Sequence, residues 1–215
     1  MYKLYNVKTW GSLVVHCLLE ELEVPYTNIW MTPDQVRDPA FRAISPLGMI
    51  PALGLADGRT LFESAATVAF LVAAHPEKRM SPDLGSPDYG EFLMFLNFMS
   101  AEIYAIGNIG YDAGTYVAEE AAQQAIKVKV REKVDVCWSL LEKRVAAAGP
   151  WLMGPEFSAV DIYAFMMTIW GAPSEQALLD RNPAIARLAT GVRARPKLKA
   201  VLESHGVMNI GGFAG

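Results

Sequence analysis

Three short stretches of the 215-residue chain carry groups that could bind or activate a ligand: "KTWGS" at 8–12, "SPLGMIPAL" at 45–53 and "LFES" at 61–64. In the last, Glu63 and Ser64 stand where a short apolar strand gives way to a helical pattern. Ser64 suits a helix N-cap, and plain capping is its simplest role. The free N–H groups of a first helical turn, with the helix dipole, also attract a carboxylate. The Glu63 carboxylate beside them can pair with an ammonium, so the two together match the α-amino-acid end of a ligand. In the middle stretch, Pro51 interrupts the apolar run Met49-Ile50-Pro51-Ala52-Leu53. Proline cannot donate to a sheet ladder. Two readings fit equally: a trans proline that opens a strand, or a cis bond, which before proline costs only about 0.5–1 kcal/mol. The second exposes the main chain of Ile50 to an extended peptide ligand.

Around these residues the sequence alternates strand and helix. "YKLYNV" (2–7) reads as a strand, "LVVHCLLEELE" as a helix with Leu13, Cys17, Leu18 and Leu22 near one face, and "YTNIWM" as a second strand. "DPAFRAISPLG" is loop or short helix. "IPALGLADGRTLFE" reads as a hairpin turning at Asp57-Gly58, followed by the helix "SAATVAFLVAAH". A segment rich in proline, glycine and charge follows at 76–90, and beyond it every long segment has helical period. The expected organisation is an α/β domain at 1–78, a linker at 79–88 and an all-helical domain at 89–215.

Bulk composition narrows the function. Hydrophobic residues make up 52% of the chain and charged ones 20%, enough for a sizeable core. The net charge of −4 disfavours nucleic acid as a partner. The densest basic stretch, "RLATGVRARPKLK" (187–199), has helical spacing and reads as a solvated helix face. Cys17 and Cys137 lie in apolar periodic stretches and read as small buried hydrophobes rather than a disulfide. No secretory leader is visible in "MYKLYNVKTW", and no run reaches the roughly 18 apolar residues of a membrane span. A cytoplasmic protein with no membrane partner is expected.

Taken together, "SPLGMIPAL", "LFESAATVAFL" and the serine-x-x-aspartate pattern of "FSAVDIYAF" (157–165) resemble the corresponding motifs of the cytosolic glutathione transferases. The resemblance runs over nearly the whole chain, nearest the bacterial serine/threonine-type or beta-like members. It implies a thioredoxin-like N-terminal domain joined to an all-α domain, usually in a homodimer, with a role in detoxification. Glutathione would be the co-substrate, with no metal. Ile50, ahead of a cis Pro51, would bind its cysteinyl backbone, and Glu63 and Ser64 its γ-glutamyl end. One departure is Met49, where the family often has lysine or glutamine. A contact to the glycine end is then missing or comes from elsewhere, with Gln35 and Arg37 as candidates or as surface loop residues.

The resemblance also implies that the protein lowers the pKa of the glutathione thiol, near ~8.5 when free. A shift of about 2 units takes about 2.7 kcal/mol. A hydrogen bond to a charged group supplies about 1.5–3 kcal/mol and a helix N-terminus about 0.3–1 kcal/mol, so one placed hydroxyl suffices. Thr9 and Ser12 are the candidates, and at least one of them merely caps the helix; Tyr5 fits the tyrosine-using classes less well. Trp10 lies beside them and could line the site. The acceptor, a small hydrophobic electrophile, would sit against Asn97, Ala101, Tyr104, Asn108 and Tyr111, which share one helix face; an exposed face or a dimer contact fits the same spacing. Ser158 and Asp161 form a structural capping box, with Phe157 and Ile162 as its hydrophobic staple. Alternatives to transferase chemistry are a glutathione-dependent peroxidase or disulfide reductase, and a non-catalytic glutathione- or ligand-binding scaffold.

Overall fold

The computed structural model describes residues 1–212. The chain begins with strand β1 (Tyr2–Asn6), helix α1 (Ser12–Leu22), strand β2 (Tyr26–Trp30) and helix α2 (Pro33–Arg37). The hairpin β3 (Ala52–Gly54) and β4 (Thr60–Phe62) follows, then helix α3 (Ser64–Ala74). The sheet runs β2-β1-β3-β4. β1 pairs parallel with β2, and antiparallel with β3. β3 pairs antiparallel with β4. The hairpin turns where expected: Gly58 has φ +89°, and Asp57 accepts bonds from the Arg59 amide and guanidinium.

The remainder is helical: α4 (Pro87–Phe98), α5 (Ala105–Tyr111), α6 (Glu120–Ala148), α7 (Ala159–Ile169), α8 (Glu175–Arg181), α9 (Pro183–Arg193) and α10 (Lys199–His205). The thioredoxin-like order followed by an all-α half is what the sequence led one to expect. Helix α8 was not visible in the sequence, because a single two-turn helix gives too few repeats of the apolar period. Between α4 and α5 the chain stays helical through a π-turn at Met99–Tyr104. The continuous helical run Pro87–Tyr111 is 25 residues long and holds an 18-residue window of mean hydropathy 1.3, enough by length and composition alone to cross a membrane. Asn97, Ser100, Glu102 and Asn108 interrupt its apolar sequence. Phe92, Phe95, Leu96, Met99 and Ile103 of this run are buried in the protein's own core.

One apolar core serves both halves. Helix α1 lies at its centre, and ten of its eleven residues are buried. The single buried face expected for α1 is therefore replaced by burial all round, because α1 packs against the sheet, α3, α7 and α10. Helix α7 is buried along its whole length. Fully burying each Leu or Val of these helices contributes roughly 1.5–3 kcal/mol.

Polar anchors stitch the halves together. Arg195 forms a two-pronged ion pair with the buried Glu21 of α1 and lies 3.6 Å over the Phe157 ring. Arg193 pairs at 2.5 Å with Glu175, both nearly buried. Two arginines of the 187–199 stretch are thus internal cross-links rather than a solvated face, because each meets a buried carboxylate from another element. Cys17 and Cys137 are buried thiols.

Asp161 anchors the start of α7. Its carboxylate accepts the Leu152 amide at 2.8 Å, the Ser158 amide at 2.8 Å and the Ser158 hydroxyl at 3.1 Å. Burial pushes its pKa up to about 7, against the pull of those donors and of Arg195. Replacing Asp161 with alanine strands two buried amides. We predict that Asp161→Ala destabilises the protein by about 2–4 kcal/mol, read as a lower urea midpoint at unchanged m-value; an unshifted midpoint would remove the anchoring role.

Candidate functional site

A cleft of about 210 Å³ opens between the sheet half and the π-turn region of the helical half. Its N-terminal wall is Ser45, Leu47, Met49, Ile50, Pro51, Phe62, Glu63 and Ser64; the opposite wall is Ser100, Tyr104, Ala105 and Asn108. The two motifs expected to clasp one ligand therefore face the same space.

Each wall has a local cause. The turn at 45–49 is pinned by the buried Ser45, whose hydroxyl donates to the Met49 carbonyl at 2.9 Å and accepts the Met49 amide at 3.1 Å. The Ile50–Pro51 bond is cis. Ile50 stands two residues outside the β3 ladder, and its amide and carbonyl make no hydrogen bond among the described residues. Where β4 meets α3, Glu63 has φ 67° and ψ 111°, a conformation that costs a non-glycine residue on the order of 1–3 kcal/mol. Glu63 occupies the N-cap position of α3 but gives no side-chain cap, and Ser64 is the first helical residue. Among the described residues, the first-turn N–H groups of α3 thus lack a side-chain acceptor. The Ser64 hydroxyl does not cap; it hydrogen-bonds the buried Tyr163 hydroxyl at 2.8 Å, which ties the helix start to α7. Met49 is half exposed on the rim.

The opposite wall departs from simple helical spacing. Tyr104 and Asn108 line the cleft as expected, but Asn97 does not: it is exposed, and its amide donates to the Leu93 carbonyl. The π-turn is the reason. Its i→i+5 bonding adds one residue to the turn, so the face before Met99 is out of phase with the face after it. Ser100 and Ala105 line the cleft beside Tyr104 and Asn108.

The two hydroxyls expected at a thiol, those of Thr9 and Ser12, both bond to nearby backbone. Ser12 is fully buried, and its hydroxyl both donates to the Val7 carbonyl and accepts the Val7 amide at 3.2 Å. Thr9 has φ 63°, and its hydroxyl donates to the Lys8 carbonyl at 2.6 Å. Neither is among the cleft-lining residues. Trp10 packs against the small cluster of Val7, Val36, Phe41, Ile50 and Ala52 rather than lining the cleft. Gln35 forms a reciprocal cap with Thr32, and Arg37 pairs with Asp34 on the surface, so both are used within α2.

The main chain of Thr9 is held by the helical half. Its N–H donates to His205 Nδ1 at 3.0 Å, and its carbonyl accepts from Trp170 Nε1 at 2.9 Å. Since His205 Nδ1 is an acceptor, its Nε2 carries the proton and donates to His16 Nδ1 at 3.0 Å. Asn6 Nδ2 approaches the same His16 nitrogen at 3.1 Å. Both imidazoles are thus fixed in the neutral form. Burial lowers the His16 pKa to about 4; burial, then His16 and Lys8, lower that of His205 to about 3. No sequence spacing announces this pair, whose members lie 189 positions apart.

The comparisons with known proteins agree with this geometry. The family model of the glutathione S-transferase N-terminal domain matches residues 12–74, and that of the glutathione S-transferase C-terminal domain residues 111–205. The chain belongs to the glutathione S-transferase family. Among the relatives of this family member is the uncharacterised GST-like protein YncG of Escherichia coli K12, 25% identical over 97% of this chain and all of its own. A sphingomonad glutathione S-transferase complexed with glutathione superposes with a TM-score of 0.80 at 26% identity, covering 95% of this chain and 99% of its own. The bacterial transferase BphK, solved as a ternary complex, gives 0.83 at 25% identity over 95% of this chain and 99% of its own.

The histidine pair makes the fold of this family member acid-sensitive. Both folded-state pKa values lie below the ordinary 6.5, so the unfolded chain binds protons that the fold excludes. That stability is full above about pH 6.5 and declines as the pH falls towards 4. We predict a falling thermal midpoint across this window, and a flatter profile in His205→Leu despite its lower midpoint at neutral pH. Parallel profiles for the two proteins would assign the acid sensitivity to other groups.

Proposed function

We propose that the protein is a glutathione transferase that binds glutathione in the cleft and presents its thiolate to a small hydrophobic electrophile. The carrying observation is that Ile50, Pro51, Glu63 and Ser64 share one cleft wall. Ile50 offers its amide and carbonyl to the cysteinyl unit in strand-like pairing. The first turn of α3 receives the γ-glutamyl carboxylate, and the exposed Glu63 carboxylate receives the ammonium. The known ligand of the sphingomonad relative supports this choice. The electrophile enters from the side of Tyr104, Ala105 and Asn108, where polar and apolar groups alternate. Homodimerisation, a cytoplasmic location, a role in detoxification and a domain boundary near residue 79 complete the proposal, on the family resemblance.

The engagement of the Thr9 and Ser12 hydroxyls with their own backbone favours a second reading, a glutathione-binding scaffold without turnover. A bound thiol that keeps its solution pKa would decide for the scaffold.

Calorimetry tests the binding mode. Glu63→Gln is expected to weaken glutathione by about 5- to 30-fold, equivalent to about 1–2 kcal/mol. The same substitution should leave unchanged the affinity for the analogue that lacks the γ-glutamyl amine. Equal losses for both ligands, or no binding of glutathione to the parent protein, would refute it.

A further inference from the structure

With the Thr9 and Ser12 hydroxyls turned into their own backbone, the cleft still holds a phenol at the mouth of α1. Tyr104 comes from the π-turn of the helical half and lines the cleft opposite Ile50 and Ser64. Its hydroxyl lies over Gly11, the N-cap position of α1: a Cβ on residue 11 would stand only 2.5 Å from Tyr104 Oη. The phenol therefore occupies the space that any side chain at position 11 would claim. Its ring is fixed against Trp170, with centroids 4.8 Å apart and planes tilted by 37°. Trp170 is in turn bonded to the Thr9 carbonyl. Ring, indole and loop form one chain of contacts that ends at the start of α1.

We propose that Tyr104, rather than Thr9 or Ser12, is the catalytic residue that hydrogen-bonds the sulfur of bound glutathione and holds it as the thiolate. This rests on the glutathione-binding reading above. A cysteinyl unit paired with Ile50 puts its thiol in the same cleft as the Tyr104 hydroxyl. The thiol releases its proton to solvent; Tyr104 keeps its own proton and donates it to the sulfur as a hydrogen bond. Burial raises the phenol pKa, more than the nearby Gly11 amide lowers it, so the hydroxyl stays protonated at neutral pH and remains a donor. The N-terminus of α1, whose dipole favours negative charge, lies beneath the same point. Placing the donor on the π-turn explains why a wide turn interrupts an otherwise regular helix here. Glycine at position 11 is then required by space, since its φ of −57° is open to any residue.

The test separates this inference from the reading beneath it. Glutathione affinity is measured by calorimetry, and the pKa of the bound thiol by its ultraviolet thiolate absorbance. The parent should bind glutathione with a thiol pKa well below that of free glutathione. Tyr104→Phe should keep the affinity within about threefold while the bound thiol titrates about one to two pH units higher. Gly11→Ala, which drives a methyl group into the hydroxyl's place, should shift the thiol the same way. If Tyr104→Phe fails to fold by circular dichroism, Gly11→Ala and a ring-fluorinated tyrosine at 104, a stronger donor that lowers the thiol pKa further, carry the test. An unchanged thiol pKa in these variants, or a rise in Thr9→Ala or Ser12→Ala instead, overturns the assignment. A parent that binds glutathione without lowering its thiol pKa overturns the assignment and decides for the scaffold, while the binding reading stands; a parent that does not bind glutathione overturns the binding reading as well.

Discussion

The peptide of residue 9 is gripped from both sides by groups that arrive from the far end of the chain. His205 takes its N–H and Trp170 supplies its carbonyl with a donor. Thr9 adopts a left-handed backbone that a β-branched residue rarely keeps unaided. The two contacts, made in a partly buried setting, offset that cost and fix where α1 begins. Because α1 has almost no solvent-facing side, its start fixes in turn the sheet, α3 and α7 that pack around it. The two halves then behave mechanically as one body sharing one core, and the cleft between them has a set width.

The cleft divides its labour according to what each half can hold rigidly. The sheet half presents main chain: the pair around Ile50 and the open helix turn at Ser64, both forced by kinks at Pro51 and Glu63. The helical half presents side chains, Ser100, Tyr104 and Asn108, along one helix. Main-chain groups recognise a peptide by its generic backbone, whereas side chains can vary without disturbing the sheet. An arrangement of this kind keeps one ligand constant while the other wall is free to change.

Much of this was legible in the sequence where the signal was local. The Asp57-Gly58 turn, the Ile50-Pro51 step, the Glu63-Ser64 junction and the Ser158–Asp161 pair each announce themselves within a few residues. Tyr104 and Asn108 were reached by helical spacing, but Asn97 was misplaced because that arithmetic assumes a constant 3.6 residues per turn and cannot see a π-turn. Ser64 looked like a cap because serine usually is one; only the fold brings Tyr163 to its hydroxyl. Arg193 and Arg195 looked solvated because their carboxylate partners lie 18 and 174 positions away. The same long range hid the Thr9–His205 contact, whose partners lie 196 positions apart.

The widened turn at Met99–Tyr104 also records a register. Phe92, Phe95 and Leu96 are locked into the core ahead of it, and the Gly110 backbone packs close to Val130 of α6 behind it. Each anchor fixes its own end of the helix, so the surplus residue cannot diffuse out along the axis. Deleting a single amino acid within the turn would restore an ordinary α-helix and rotate everything beyond it by about 100° while drawing it back by about 1.5 Å. Chain length here, quite apart from side-chain identity, therefore determines which groups look into the cleft.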